Sequence, residues 1–272
     1  TGNSDFWSCE FRNLPSNLTS NDQFVIKRHN FNSKIPYFTY LDRGIKLLFY
    51  QNLIKQKTQT KTFLVDEYGL CQSAIIMKRY EMNLQTYRKT LQAAGNGILT
   101  NEDCATILKI IFQGFLSIWT LHSFKCLHYD IKPNNFFIRK NQNEIEVYLG
   151  DLISFQHVST EAFSTTYTFR YCPYRTLTQQ MRDIFAYYIS IIEIISGRAL
   201  NTLDENAGDE KNGERIKKAL ESLKQAYDIS FIEKLELILN RQINTNIDVW
   251  EIIRDIFISN PVYILPKNST QD

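Results

Sequence analysis

Apolar and polar positions divide the chain into a strand-patterned first third and a helix-patterned remainder. Phe24 to Arg28 is a short β-prone run, and 61–65 and 73–81 read as two further strands. Between them, residues 37–55 carry Phe38, Leu41, Ile45, Leu48 and Leu53 at helical spacing. From about 83 onward the period is that of helices. Thr100 followed by Asp103 fits a capping box ahead of Ile107, Ile110, Ile111, Phe115 and Ile118. Residues 144–150 read as a strand, and 181–196 are apolar nearly all round, the mark of a helix sunk in a core. The polar stretch 203–215, with two glycines, predicts an exposed loop before two last helices at 230–241 and 247–258. A strand-rich part followed by a larger helical part predicts an α+β fold of two lobes. The lobes would cover about 1–82 and 83–260 of one domain, with a short tail at 261–272.

Composition narrows the picture by exclusion. At 272 residues the chain is long enough to bury a large core. Lys and Arg outnumber Asp and Glu by 31 to 29, too even a balance to imply a nucleic-acid or membrane-surface partner. The five cysteines, at 9, 71, 104, 126 and 172, are dispersed, odd in number and never spaced C-x-x-C. Neither a disulfide framework nor a zinc site is expected, and a reducing, cytoplasmic or nuclear setting is. Sequons at Asn17 and Asn268 are read as accidental in a chain rich in Asn, Ser and Thr. No run of eighteen apolar residues and no basic-then-apolar leader is visible, so neither a membrane span nor a signal peptide is expected. The opening Thr1-Gly2 lacks a Met, as a fragment would.

The chemistry is concentrated in LHSFKCLHYDIKPNNFFI, residues 121–138. His128, Asp130, Lys132, Pro133 and Asn135 spell H-x-D-x-K-P-x-N behind an apolar segment ending in Leu121-His122. This pattern resembles the catalytic loop of eukaryotic-type protein kinases of the serine/threonine branch. The resemblance implies that Asp130 accepts the proton of the substrate hydroxyl and that Lys132 stabilises the transferring phosphoryl group. It also implies that Asn135 holds a magnesium ion. Downstream, Gly150-Asp151-Leu152-Ile153 is similar to the D-F-G segment, which makes Asp151 the second magnesium ligand. Leu152 conserves apolar packing, whereas Ile153 replaces the usual glycine. Thr168-Phe-Arg-Tyr171-Cys-Pro173-Tyr174 resembles the end of an activation segment without its glutamate, so the lobe must be braced in another way. Asp183 fits the aspartate that opens a core helix and holds the catalytic-loop backbone, and Ser196-Gly197-Arg198 is family-like.

The first lobe resembles the family less. Val25-Ile26-Lys27 is similar to the V-A-I-K strand, which implies that Lys27 contacts the α- and β-phosphates of ATP; a strand lysine is otherwise a solvated face residue. Residues 77–84, with Glu81 and Met82, resemble the hinge whose backbone meets adenine, and read equally well as a strand exit. FRNLPSNLTSND contains no glycine, so nothing before Lys27 matches a phosphate-covering G-x-G-x-x-G loop. The helix due to offer Lys27 a glutamate offers Lys46 at the aligned position, with Asp42 one turn earlier as a substitute or a plain surface residue. The resemblance spans about 24–258. It implies ATP- and magnesium-dependent phosphorylation of serine or threonine in protein substrates. The alternative is a pseudokinase that scaffolds; a small-molecule kinase fits the K-P-x-N form less well.

Overall fold

A computed structural model describes residues 4–9, 24–29, 37–58, 61–71, 74–94, 99–141, 144–152, 156–157, 168–172, 177, 179–200, 203, 206–239, 249–258 and 261–267. The first lobe is a four-stranded antiparallel sheet in the order β1 (Ser4–Cys9), β2 (Phe24–His29), β4 (Ala74–Lys78), β3 (Glu67–Cys71), with helix α1 (Tyr37–Lys57) beside it. Along β4 burial alternates, which leaves Ile75 and Met77 in the core. β5 (Met82–Asn83) leaves this lobe and pairs with β7 (Phe136–Asn141), which in turn pairs with β8 (Glu144–Leu149).

The second lobe is helical: α2 (Leu84–Ala94), α3 (Asn101–Ser123), α4 (Gln179–Ser196), α5 (Gly208–Ala226), α6 (Ile232–Leu239) and α7 (Val249–Ile258). Short pairs β6 (Cys126–Leu127) with β9 (Gln156–His157), and β10 (Tyr227–Ile229) with β11 (Ile264–Pro266), complete it. The expected capping box is present: the Asp103 amide donates to Thr100 Oγ1 at 3.1 Å and the Thr100 amide to Asp103 Oδ2 at 2.9 Å. α4 is the central post, buried from Ile184 through Ile195. α3 lies so close to it that a Cβ on Gly114 would stand 1.9 Å from the Tyr187 hydroxyl. α3 is long and apolar enough to cross a membrane by length and composition, yet 56% of that window is buried inside the lobe. Its hydropathy is that of a core helix. The bilobal α+β arrangement is the one the sequence predicts.

Two local expectations are corrected. Residues 61–65 do not form a strand: Phe63 takes a left-handed φ of 51°, and Leu64 makes a single parallel bridge to Leu149. Leu64 and Val65 are buried there, but the bridge partner is one residue of the lower sheet. The polar stretch 203–215 is a loop only at its start, because α5 begins at Gly208. Asp209 and Glu210 sit in its first turn, where the helix dipole favours them, and Ile216, Leu220 and Leu223 bury the inner face. That apolar period begins past the polar stretch, so the polar residues concealed the helix start. β1, β3 and β7 were not anticipated; β3 is irregular at Glu67/Gly69, and β7 starts inside the catalytic motif. The two sequons and the glycine-free stretch 11–22 lie outside the described residues.

Candidate active site

The catalytic loop leaves β6 and is held from behind by a single carboxylate. Asp183, buried on α4, accepts the His128 amide at 2.6 Å, the Tyr129 amide at 2.8 Å and the His122 Nε2 at 3.2 Å. Tyr129 is thereby fixed at a left-handed φ of 66°, a conformation that needs such tethers in a bulky residue. The buried His128 ring bridges onward: its Nδ1 accepts the Asp130 amide at 3.2 Å and its Nε2 lies 2.8 Å from the Gly150 carbonyl oxygen. With Nδ1 accepting, Nε2 carries the proton and donates to Gly150.

On the open side, Asp130 is the hub. Lys132 Nζ donates to Asp130 Oδ2 at 2.6 Å and to Thr168 Oγ1 at 3.0 Å, and the Thr168 hydroxyl donates to Asp130 Oδ1 at 2.7 Å. Asn135 Nδ2 donates to the Asp130 carbonyl at 2.7 Å and to its Oδ2 at 3.2 Å. This orientation reserves Asn135 Oδ1, which carries no hydrogen bond among the described residues. The Gly150 amide donates to the Asn135 carbonyl at 2.8 Å, so the backbones bearing Asn135 and Asp151 are stitched together. Only glycine fits that stitch: a Cβ on Gly150 would lie 2.6 Å from Phe137 Cε2 and 2.8 Å from Val65 Cγ1. Asp151 follows at a φ of 56°, and Leu152 behind it is buried. Ile153 is outside the described residues.

The activation-segment end is braced by a residue that sequence reasoning did not single out. The Tyr171 hydroxyl donates to Glu193 Oε2 at 2.8 Å, Arg170 Nε stands 3.6 Å from Glu193 Oε1, and the Leu200 amide donates to Oε1 at 2.7 Å. The acid lies on α4 and the arginine on the segment, the reverse of the family's pairing. Pro173 and Tyr174 are outside the described residues.

In the first lobe, Lys27 is no solvated strand lysine. It is 7% exposed, and its Nζ donates to Asp151 Oδ1 at 2.5 Å. Lys46 is on the exposed side of α1, and the Asp42 side chain is outside the described ones. The inward polar residue of α1 is Gln51, buried and donating to the Val65 carbonyl. An unanticipated carboxylate appears instead on β3. Burial pushes Glu67 up to about 7; Lys27 pulls it down, Asp151 raises it and Lys55 pulls it down. Its signal in the sequence was a charged residue at an inward strand position, legible only once β3 was known.

The hinge expectation is partly occupied. The Glu81 amide donates to the Ile138 carbonyl at 3.0 Å, its carboxylate accepts the Lys140 amide at 3.0 Å, and Met82 faces Ile138 in the β5–β7 pairing. The unpaired stretch is Arg79–Tyr80, just upstream.

Two oxygen donors, Asp151 and Asn135 Oδ1, close to Asp130 are of the kind that suits a hard divalent cation carried on phosphates. No cluster of three His, Cys, Asp or Glu that would hold a metal unaided occurs among the described residues. A family model for the protein kinase domain matches residues 49–261, most of the chain, beginning after the strand that carries Lys27. Fold, catalytic loop and this match agree, and the chain belongs to the protein kinase family, whose domain transfers phosphoryl groups to protein substrates.

Proposed function

We propose that the chain is an active serine/threonine protein kinase using ATP and Mg2+. The observation that carries this reading is the closed Asp130–Lys132–Thr168 set, in which one ammonium touches both the carboxylate and the hydroxyl. Asp130 is presented with both oxygens oriented, so that a substrate hydroxyl entering beside Thr168 donates its proton to a fixed acceptor. Lys132 holds a positive charge beside that acceptor, where charge builds on the transferring group. Asn135 and Asp151 would hold the metal, and Lys27 would meet the α- and β-phosphates. Bound, Mg2+ and ATP supply the phosphoryl group and offset the charge on its oxygens. Because the Glu81 amide is engaged with Ile138, we assign the adenine edge to the Arg79–Tyr80 backbone, with Glu81 and Met82 flanking it.

We further infer that the chain works as one domain with the lobes meeting near residue 82. The Lys27–Asp151 pair and the Leu64–Leu149 bridge support this. The buried free thiols of Cys104 and Cys126 support the reducing, intracellular setting.

A kinase-fold scaffold is the competing reading, favoured by the absence of glycine in FRNLPSNLTSND. Transfer of labelled phosphate from Mg-ATP to serine- or threonine-containing proteins separates the two. Incorporation that disappears in Asp130→Asn supports the enzyme; equal labelling in both, or none at millimolar Mg-ATP, refutes it.

A further inference from the structure

The lysine that meets the nucleotide needs a carboxylate to hold it, and the described side chains of α1 supply none. Gln51 is engaged with Val65, Lys46 faces outward, and Lys55 is already paired with Asp66 at 2.6 Å. In this structure Lys27 is instead bonded to Asp151, the residue assigned to the metal. Both roles cannot be filled at once by the same carboxylate oxygen.

The sheet register identifies another partner. Met77 on β4 is paired with Val25 on one side and Glu67 on the other, so these three form one row across the sheet. Lys27 stands two positions along β2, opposite Ile75, and therefore on the same face. Glu67 is 7% exposed in a row otherwise made of Val25, Ile75 and Met77, where a leucine would be the ordinary occupant. Its Oε2 is buried with no hydrogen-bond partner among the described residues. A carboxylate in such a place lowers stability unless a cation answers it. Of the two cations that act on Glu67 electrostatically, Lys27 is the stronger, and Lys55 is held by Asp66, so Lys27 is the answer once Asp151 releases it. The charge accounting agrees. Lys27 faces two carboxylates, Asp151 and Glu67, and when Asp151 turns to a cation one neutral Lys27–Glu67 pair remains.

We propose that Glu67 is the positioning residue for Lys27: as Asp151 engages the metal, Glu67 on β3 takes the ammonium and holds it at the nucleotide phosphates. The role that other members of the family assign to a helix is thus filled from the sheet. This rests on the nucleotide-binding reading above, and the experiment tells the two apart.

Mg-ATP affinity is measured by calorimetry on wild type, Glu67→Gln, Glu67→Leu, Lys27→Met and the Lys27→Met/Glu67→Gln double variant, together with kcat, KM for ATP and ligand-free melting temperature. Glu67→Gln is expected to weaken Mg-ATP binding and raise KM for ATP by about tenfold while the melting temperature holds or rises. Glu67→Leu is expected to melt higher still and bind equally poorly, a split that a merely structural carboxylate would not produce. In the double variant the loss is expected to match that of Lys27→Met alone, because both substitutions remove one interaction. Affinity and KM of Glu67→Gln within twofold of wild type, or losses that multiply in the double variant, would overturn the proposal and leave the kinase reading intact. Absence of Mg-ATP binding by wild type would overturn both.

Discussion

The two sides of the cleft are built by different rules. On the phosphoacceptor side every polar group expected from H-x-D-x-K-P-x-N is present and tied to its neighbours, from Asp183 through His128 to Asp130, Lys132 and Thr168. On the side proposed for the nucleotide the residues depart from those expected: Gln51 stands inward on the helix, Glu67 enters from a strand, and the Glu81 amide is engaged in the sheet. The contrast follows from geometry. The acceptor side must place one carboxylate against one hydroxyl, a task that tolerates little displacement. A triphosphate with its cation presents many oxygens, and charge from several directions can hold it.

The largest effect that tests this contrast is at Asp130. Asp130→Asn is expected to cut phosphotransfer about a thousandfold, the scale of losing a positioned proton acceptor. Mg-ATP affinity should stay within threefold, because Asp130 belongs to the other side of the cleft. Comparable losses in both measurements would mean the two sides are one unit.

Asp183 probes how the acceptor side is held. Asp183→Ala leaves the buried amides of His128 and Tyr129 and the His122 ring without their acceptor. A loss of about 3 kcal/mol of folding stability is expected by chemical denaturation, within the range for breaking a buried charged network. At a temperature where the variant is still folded, turnover should fall more than nucleotide affinity. A loss under about 0.5 kcal/mol, the ordinary surface value, would show that the loop holds itself.

The same contrast explains what could be read from the chain without coordinates. The catalytic loop was legible because its chemistry lies within eight consecutive residues, and Asp183 because it stands at the start of a nearly all-apolar helix where the resemblance places an aspartate. Lys27 was legible as a residue type in a β-run, although its burial was not. Glu67 and Glu193 were not legible, since each acquires its role only from a residue far away in sequence: Glu67 from Lys27 and Asp151, Glu193 from Arg170 and Tyr171. The missed strands have the same cause. β7 is hidden within the motif it supports, and β3 is broken by a bulge and a glycine. The helix α5 was missed because its exposed first turns carry no apolar period, and Ile216, Leu220 and Leu223 report the buried face only further along.

Metal dependence sharpens the nucleotide side. With no glycine in FRNLPSNLTSND, the proposed grip on the phosphates rests on charge from Lys27, Asn135 and Asp151 with the cation. At Mg-ATP tenfold above its dissociation constant, stabilisation should reach about 1.4 kcal/mol, a rise in melting temperature of about 3 °C for a chain of this size. ATP with a chelator should give less than half of that, and Asp151→Ala should abolish it. An equal rise with and without the metal would assign the grip to neutral donors instead.

The smallest effect concerns regulation. Tyr129 occupies the position where many kinases carry an arginine that pairs with a phosphate on the activation segment, and its side chain offers no cation. Arg170 is the described segment residue best placed to take over, but it is committed to Glu193 and donates to the Tyr171 hydroxyl at 2.5 Å. Thr168 is no better as a phosphorylation site, because its hydroxyl is bonded to Asp130 and Lys132 within the catalytic set. The other candidates, Ser164, Thr165 and Thr166, lie outside the described residues. With the acceptor side already assembled and no cation reserved for a phosphate among the described segment residues, phosphatase treatment is expected to change basal phosphotransfer by less than twofold, about 0.4 kcal/mol in barrier height. A tenfold drop would show that a phosphate completes the acceptor side after all. Arg170→Ala would then locate the contact: if that variant had lost the phosphatase sensitivity, the Arg170–Glu193 pair would be the resting arrangement of a switch and no fixed brace.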